Sequence, residues 1–164
     1  MHVTQASVYT PLTTEFLWHG DAFEIFAAGY SPLTGSYAAG NDIGALQVIL
    51  VPPGVGGPAR AKIFLGEVLV NDLDPSRWGA RLVSGGYEVE LELPWSELQA
   101  TPATPVPGMH IAFDVAVDVR QNATNPTPLV QLVQGLDTVT PTTCAPTVPH
   151  PSCDDRTWCM PTLQ

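Results

Sequence analysis

"GYEVELEL", Gly86 to Leu93, alternates without a break: Tyr87, Val89, Leu91 and Leu93 fall on one face, Glu88, Glu90 and Glu92 on the other. A period of two sets apolar side chains against a core and carboxylates in water, the pattern of an antiparallel strand with one wet face. Just upstream, "SGG" supplies a tight turn, so Trp78 to Val83 is expected to pair with this strand as a hairpin. "PWSEL", Pro94 to Leu98, follows, and its proline suits the first position of a short helical turn.

Further strands appear on both sides. In "HIAFDVAVDV", His110 to Val119, residues Ile111, Phe113, Val115, Val117 and Val119 face the core, and His110, Ala112, Asp114, Ala116 and Asp118 share the opposite face. Val3 to Val8 reads as the end of a strand, Asp21 to Ala27 as a strand, Leu46 to Val51 as a buried aliphatic strand and Leu129 to Gln134 as another. "PPGVGGP", Pro52 to Pro58, breaks the chain before Ala61 to Val70, which is a strand pair or an irregular insertion. From Thr138 to Asp155 the chain reads as a Thr/Pro-rich tail, and "RTWCMPTL" as a closing strand. No internal repeat and no second domain are visible. The expected fold is all-β: a single antiparallel two-sheet β-sandwich over residues 1–164.

Composition agrees. The 164 residues are 45% hydrophobic and 13% charged, with 17 Pro and 14 Gly, and no window holds a helical period. The formal charge is −10, from 6 Lys+Arg against 16 Asp+Glu, and Lys62 is the sole lysine. A chain with no basic patch is a poor partner for nucleic acid or for anionic membrane surfaces. Neutral ligands and cations remain. No apolar run reaches membrane-spanning length, and Met1 to Gln5 lacks the basic start and apolar core of a signal peptide. The cysteines nevertheless point to an oxidising compartment. Cys144, Cys153 and Cys159 crowd into the last segment, where two of them suit a disulfide better than a zinc site. The third is left as a free thiol or pairs outside the chain.

"EFLWHGDAFEIF", Glu15 to Phe26, carries the sharpest functional question. Glu24 stands between Ala22 and Phe26 with Trp18 upstream. One reading is an edge strand with a solvated face. The other is a binding surface, an aromatic plate beside a hydrogen-bond acceptor.

The blocks "WHGDAFEIF", "SGGYEVELELPWSEL" and "PGMHIAFDVAVD", in this order, resemble carbohydrate-binding modules of family 9 and their close sandwich relatives. The likeness runs from about His2 to the C-terminus. It implies a jelly-roll-like sandwich without catalytic activity, a targeting module of a secreted, extracellular or periplasmic, polysaccharide-degrading protein with other domains. It also implies a sugar held between two tryptophans. Residue by residue, these fall on Trp18 and Trp158, and the acceptor falls on Glu24. Sugar rings offer apolar C–H faces to aromatic planes, and their hydroxyls need acceptors once desolvated. Three departures stand out. The family's first strands have no counterpart before Val3, which suggests an N-terminal truncation. Gln47 stands where a basic ligand-binding residue is usual. Asp118 is followed by Val119 and Arg120 rather than by further acidic or amide residues.

Other chemistry has weaker support. A structural calcium at Asp72 and Asp74 in "NDLDP" competes with an ordinary Asx turn, the stronger reading. Glu88, Glu90 and Glu92 line one strand face and do not oppose each other across a substrate, as glycosidase carboxylates do. The functional alternatives are a haem-binding electron-transfer sandwich, with His19, His110, Met109 and Met160 as candidate ligands, and a structural or adhesion domain without a small ligand.

Overall fold

A computed structural model describes residues 1–5, 7–10, 17, 20–29, 46–65, 68–98, 104–109, 111–120, 130–133 and 136–139; for 65, 68–70, 130–133 and 136–139 the backbone alone is described. The strands are β1 (His2–Thr4), β2 (Ala22–Ala28), β3 (Leu46–Val51), β4 (Arg60–Leu65), β5 (Val68–Asp72), β6 (Trp78–Val83), β7 (Gly86–Leu91), β8 (Ala112–Val119), β9 (Val130–Val133) and β10 (Leu136–Val139). They form two sheets, one of three strands in the order β1-β7-β6 and one of seven in the order β10-β9-β8-β2-β3-β4-β5. Every neighbouring pair is antiparallel. The chain is thus an all-β, two-sheet antiparallel sandwich, as its periodicity predicts. In the larger sheet, the meander β2-β3-β4-β5 is joined to the meander β8-β9-β10 along the β2–β8 seam.

The hairpin of β6 and β7 holds the expected register, from Trp78 opposite Leu91 to Val83 opposite Gly86. Its turn places Gly85 at φ +80, the left-handed region that a side chain disfavours. Tyr87 and Val89 are buried while Glu90 and Glu92 are exposed, so the alternation maps directly onto core and solvent. Across the strand pair Arg81 forms an ion pair with Glu88. Trp95–Leu98 makes one turn of 3₁₀ helix after Pro94, with Leu98 buried. Ala61 to Val70 resolves into a strand pair, β4 with β5.

Two expectations need correction, and one of the two readings of β2 is ruled out. Val3 to Val8 is not one strand: β1 stops at Thr4, and Tyr9 makes a parallel bridge to Val55. Leu136–Val139 is a strand that reaches into the segment read as tail. Most consequential, β2 is not an edge strand. It lies between β3 and β8, and all seven of its residues are buried.

The principal core lies between the sheets. Phe23, Ile25 and Ala27 of β2, Leu46, Val48 and Leu50 of β3, and Ala61 and Ile63 of β4 pack with Tyr87 and Val89 of β7. Each fully buried large apolar side chain contributes about 1.5–3 kcal/mol. The Tyr87 hydroxyl crosses this core to donate to the Ala22 carbonyl at 3.4 Å. A second cluster, Leu17, Ala22, Ile49, Val51 and Phe64, occupies the other face of the larger sheet. That sheet is therefore buried on both sides through β2 and β3.

Candidate functional site

The two residues singled out on this second face come together. Glu24 lies opposite Ile49 of β3, and Gln47 lies opposite Phe26 of β2, so their side chains are diagonal neighbours. Gln47 Nε2 donates to Glu24 Oε2 at 2.9 Å. Glu24 is only 2% exposed. It is therefore a desolvated, hydrogen-bonded carboxylate in the middle of a sheet, not a solvated one at its edge.

The same face carries further acidic side chains. On β8, Asp114 lies opposite Phe26, Ala116 opposite Glu24 and Asp118 opposite Ala22, so two aspartates flank Glu24 diagonally. Both are buried, and on the same face the strand presents Ala116 between them and Ala112 before Asp114. Burial pushes the Asp114 carboxyl up to about 6, although the Val115 N–H donates to its Oδ1 at 2.7 Å. On β4, Lys62 faces Ile49 and approaches Asp72 of β5 at 3.6 Å.

Asp21, just before β2, ties three segments together. Its Oδ1 accepts the Arg120 N–H at 2.7 Å, and its Oδ2 accepts the Tyr9 N–H, while its own N–H donates to the Tyr9 carbonyl at 2.8 Å. Burial raises its carboxyl above the ordinary range, against the lowering effect of hydrogen bonds from Arg120, Gln5 and Tyr9. Neither Asp21 nor Asp114 stands out in the sequence as a site residue. A signal existed for the second: aspartates alternating with alanines leave a face flat enough to be packed over.

The acids of "NDLDP" are in use. Asp74 Oδ1 accepts the Ser76 N–H at 2.9 Å and the Ser76 hydroxyl at 2.8 Å, an Asx turn that lowers its carboxyl. Asp72 faces Lys62. Trp78 serves packing, with Nε1 donating to the Leu73 carbonyl at 3.3 Å. Among the described residues no cluster of three or more His, Cys, Asp or Glu is arranged to hold a metal. Met109 is half-buried in a turn where its N–H donates to Val106. Trp18, Trp158, Tyr30, Tyr37, His19, His110, Met160, Asn122 and the three cysteines lie outside the described residues.

Two hollows lie away from this face. A cavity of about 570 Å³ opens between the sheets, lined by Phe23, Ile25, Leu91, Trp95, Phe113 and Val115 among others. A groove of about 640 Å³ runs between the Pro53–Gly57 turn and the Gly85–Gly86 turn, and neither an aromatic ring nor a charged side chain lines it. The first has the apolar, aromatic lining typical of ligand sites; the second offers nothing for a sugar to stack on. Comparison with protein-family models, with curated proteins and with solved structures finds no match to this chain.

Proposed function

We propose that this chain is a noncatalytic carbohydrate-binding module that targets a larger extracellular or periplasmic protein to glycans. The observation that carries the reading is the Gln47–Glu24 hydrogen bond, which fixes an amide and a carboxylate side by side on one sheet face. Such a pair is of the donor-and-acceptor type that sugar hydroxyls require, with half-buried Gln47 as its outer member and Glu24 behind it. A formal charge of −10 without a basic patch suits a neutral ligand. Trp18 and Trp158 complete the reading as the stacking rings, with Glu24 and Gln47 as the polar partners. No catalytic residue is assigned.

A second reading, a structural or adhesion domain without a small ligand, is favoured by the 2% exposure of Glu24. Tryptophan fluorescence of the purified chain, titrated with mono- and oligosaccharides, separates the two. Under the first reading a saturable change is lost in Trp18→Ala and weakened in Glu24→Gln. A folded chain that responds to none of the sugars supports the second.

A further inference from the structure

We propose that the outer edge of β1, which is unpaired among the described residues, together with the apolar cleft beside it, receives an extended strand from another polypeptide that has alternating apolar side chains and basic flanks. Met1, Val3 and Gln5 are the residues of β1 and its extensions that turn their main-chain groups toward β7. The Met1 carbonyl accepts the Val89 N–H at 3.0 Å, and the Gln5 N–H donates to the Gly85 carbonyl at 2.7 Å. In an antiparallel ladder the alternate residues point the other way. The main-chain groups of His2 and Thr4 therefore face outward, both residues are exposed, and no described residue bonds to that edge.

A strand edge left unpaired can add a strand from another chain, and although β1 is only three residues long it carries no proline, bulge or lysine that would block this. The cleft supplies the second half of the argument. Three strands cannot cover seven, and Phe113, Val115 and Val117 on the inner face of β8 remain half-buried. Met1, which extends β1, lines the 570 Å³ cavity together with Phe113, Val115 and Trp95. An added strand would satisfy the edge through its backbone and lay alternate side chains into this cavity, the geometry of β-augmentation.

Charge selects the occupant. Glu90, which lines the cavity, and Glu92 and Glu97 nearby are exposed, and none of them has a cation within ion-pair distance among the described residues. A second copy of this chain would bring another formal −10 to the same rim. Lysine or arginine beside the apolar positions would instead be drawn in. This surface lies on the face of the larger sheet opposite Glu24, so the inference is independent of glycan binding.

The test is a titration of the full chain with a synthetic peptide of alternating valine and threonine, lysine at each end, followed by tryptophan fluorescence and amide exchange. The control peptide has the same composition in blocks. Saturable binding of the alternating peptide, with new protection of the His2 and Thr4 amides, is expected. Thr4→Pro removes an outward N–H without touching the β1–β7 bonds, and it is expected to weaken binding by about tenfold. Failure of the alternating peptide to bind, equal binding of the block peptide, or protection confined to other amides would each overturn the proposal. So would self-association of the chain through β1. If Thr4→Pro does not fold, the exchange pattern of the unmutated chain decides alone.

Discussion

Gln47 donates to Glu24 at 2.9 Å across the β2–β3 pair, and Glu24 is 2% exposed. A desolvated acid depends on its donors, because removing one leaves a buried oxygen that water cannot reach. Gln47→Ala is therefore expected to destabilise the fold by about 1–3 kcal/mol, read as a lower urea midpoint. Gln47→Glu should cost more, since it sets a second carboxylate against the first. A change within error for both variants would show that other partners of Glu24 suffice.

Asp21 holds the Tyr9 and Arg120 main-chain amides with its two separate oxygens. Asparagine keeps one acceptor and turns an NH2 group toward the other amide. Asp21→Asn should thus lose one charge-assisted bond and strain the second, for a loss of about 1.5–3 kcal/mol in urea unfolding. Asp21→Ala should lose more than Asp21→Asn. If the two variants unfold at the same midpoint, the second oxygen does not contribute.

Much of the architecture is legible because alternation records which side of a strand meets water. Gly86 to Leu93 shows its core face directly, and Leu46 to Val51 shows burial by its lack of polar positions. In Ile111 to Val119 the apolar side packs on the inter-sheet core but stays half-buried, while the Ala/Asp side is the more deeply buried one. What alternation does not record is what lies on the other side. Glu24 looks like a solvated position because a charge usually is one; only the pairing of β2 with both β3 and β8 makes it internal. The β2–β8 seam joins segments some ninety positions apart, and no local pattern announces such a pairing. Glu24 and Gln47 were legible as candidates one at a time. Their hydrogen bond was not, since it depends on a register set by Phe26 standing opposite Gln47.

Asp114 makes stability depend on pH. Its carboxyl is raised from the ordinary 3.8 to about 6 by burial, and the acids beside it on this face, Glu24 of β2 and Asp118 of β8, give it no cation. A raised acid binds its proton more tightly in the folded state. Its contribution is thus fully present below the unfolded value of 3.8 and is lost as pH rises through about 6. Asp21 is raised and acts in the same direction. Asp74 and Glu88 are lowered, so their contribution is present above the ordinary carboxylate range and is lost on stronger acidification. The urea midpoint should accordingly be higher near pH 5 than near pH 7.5, and Asp114→Asn should flatten that slope. An unchanged slope in the variant would assign the pH dependence elsewhere.

Gly86 is where β1 meets the hairpin. It lies opposite Thr4, and a Cβ added to it would stand 1.8 Å from the Val3 carbonyl oxygen, a backbone atom with no rotamer to yield. Gly79, on the partner strand β6, has nothing within 4 Å of the same added atom. Gly86→Ala is therefore expected to push β1 off β7, exposing the Val89 amide that now donates to the Met1 carbonyl. Gly79→Ala should leave the fold intact. Amide exchange reads the difference: Gly86→Ala should lose protection at Val89 and Gln5 while the β2–β3 amides stay protected, since those belong to the other sheet. A variant that keeps Val89 protected would mean that β1 can shift along β7 and still bond. One that loses protection in both sheets would mean that the contact of β1 with the core, through Val3, is needed for the whole sandwich rather than for its edge.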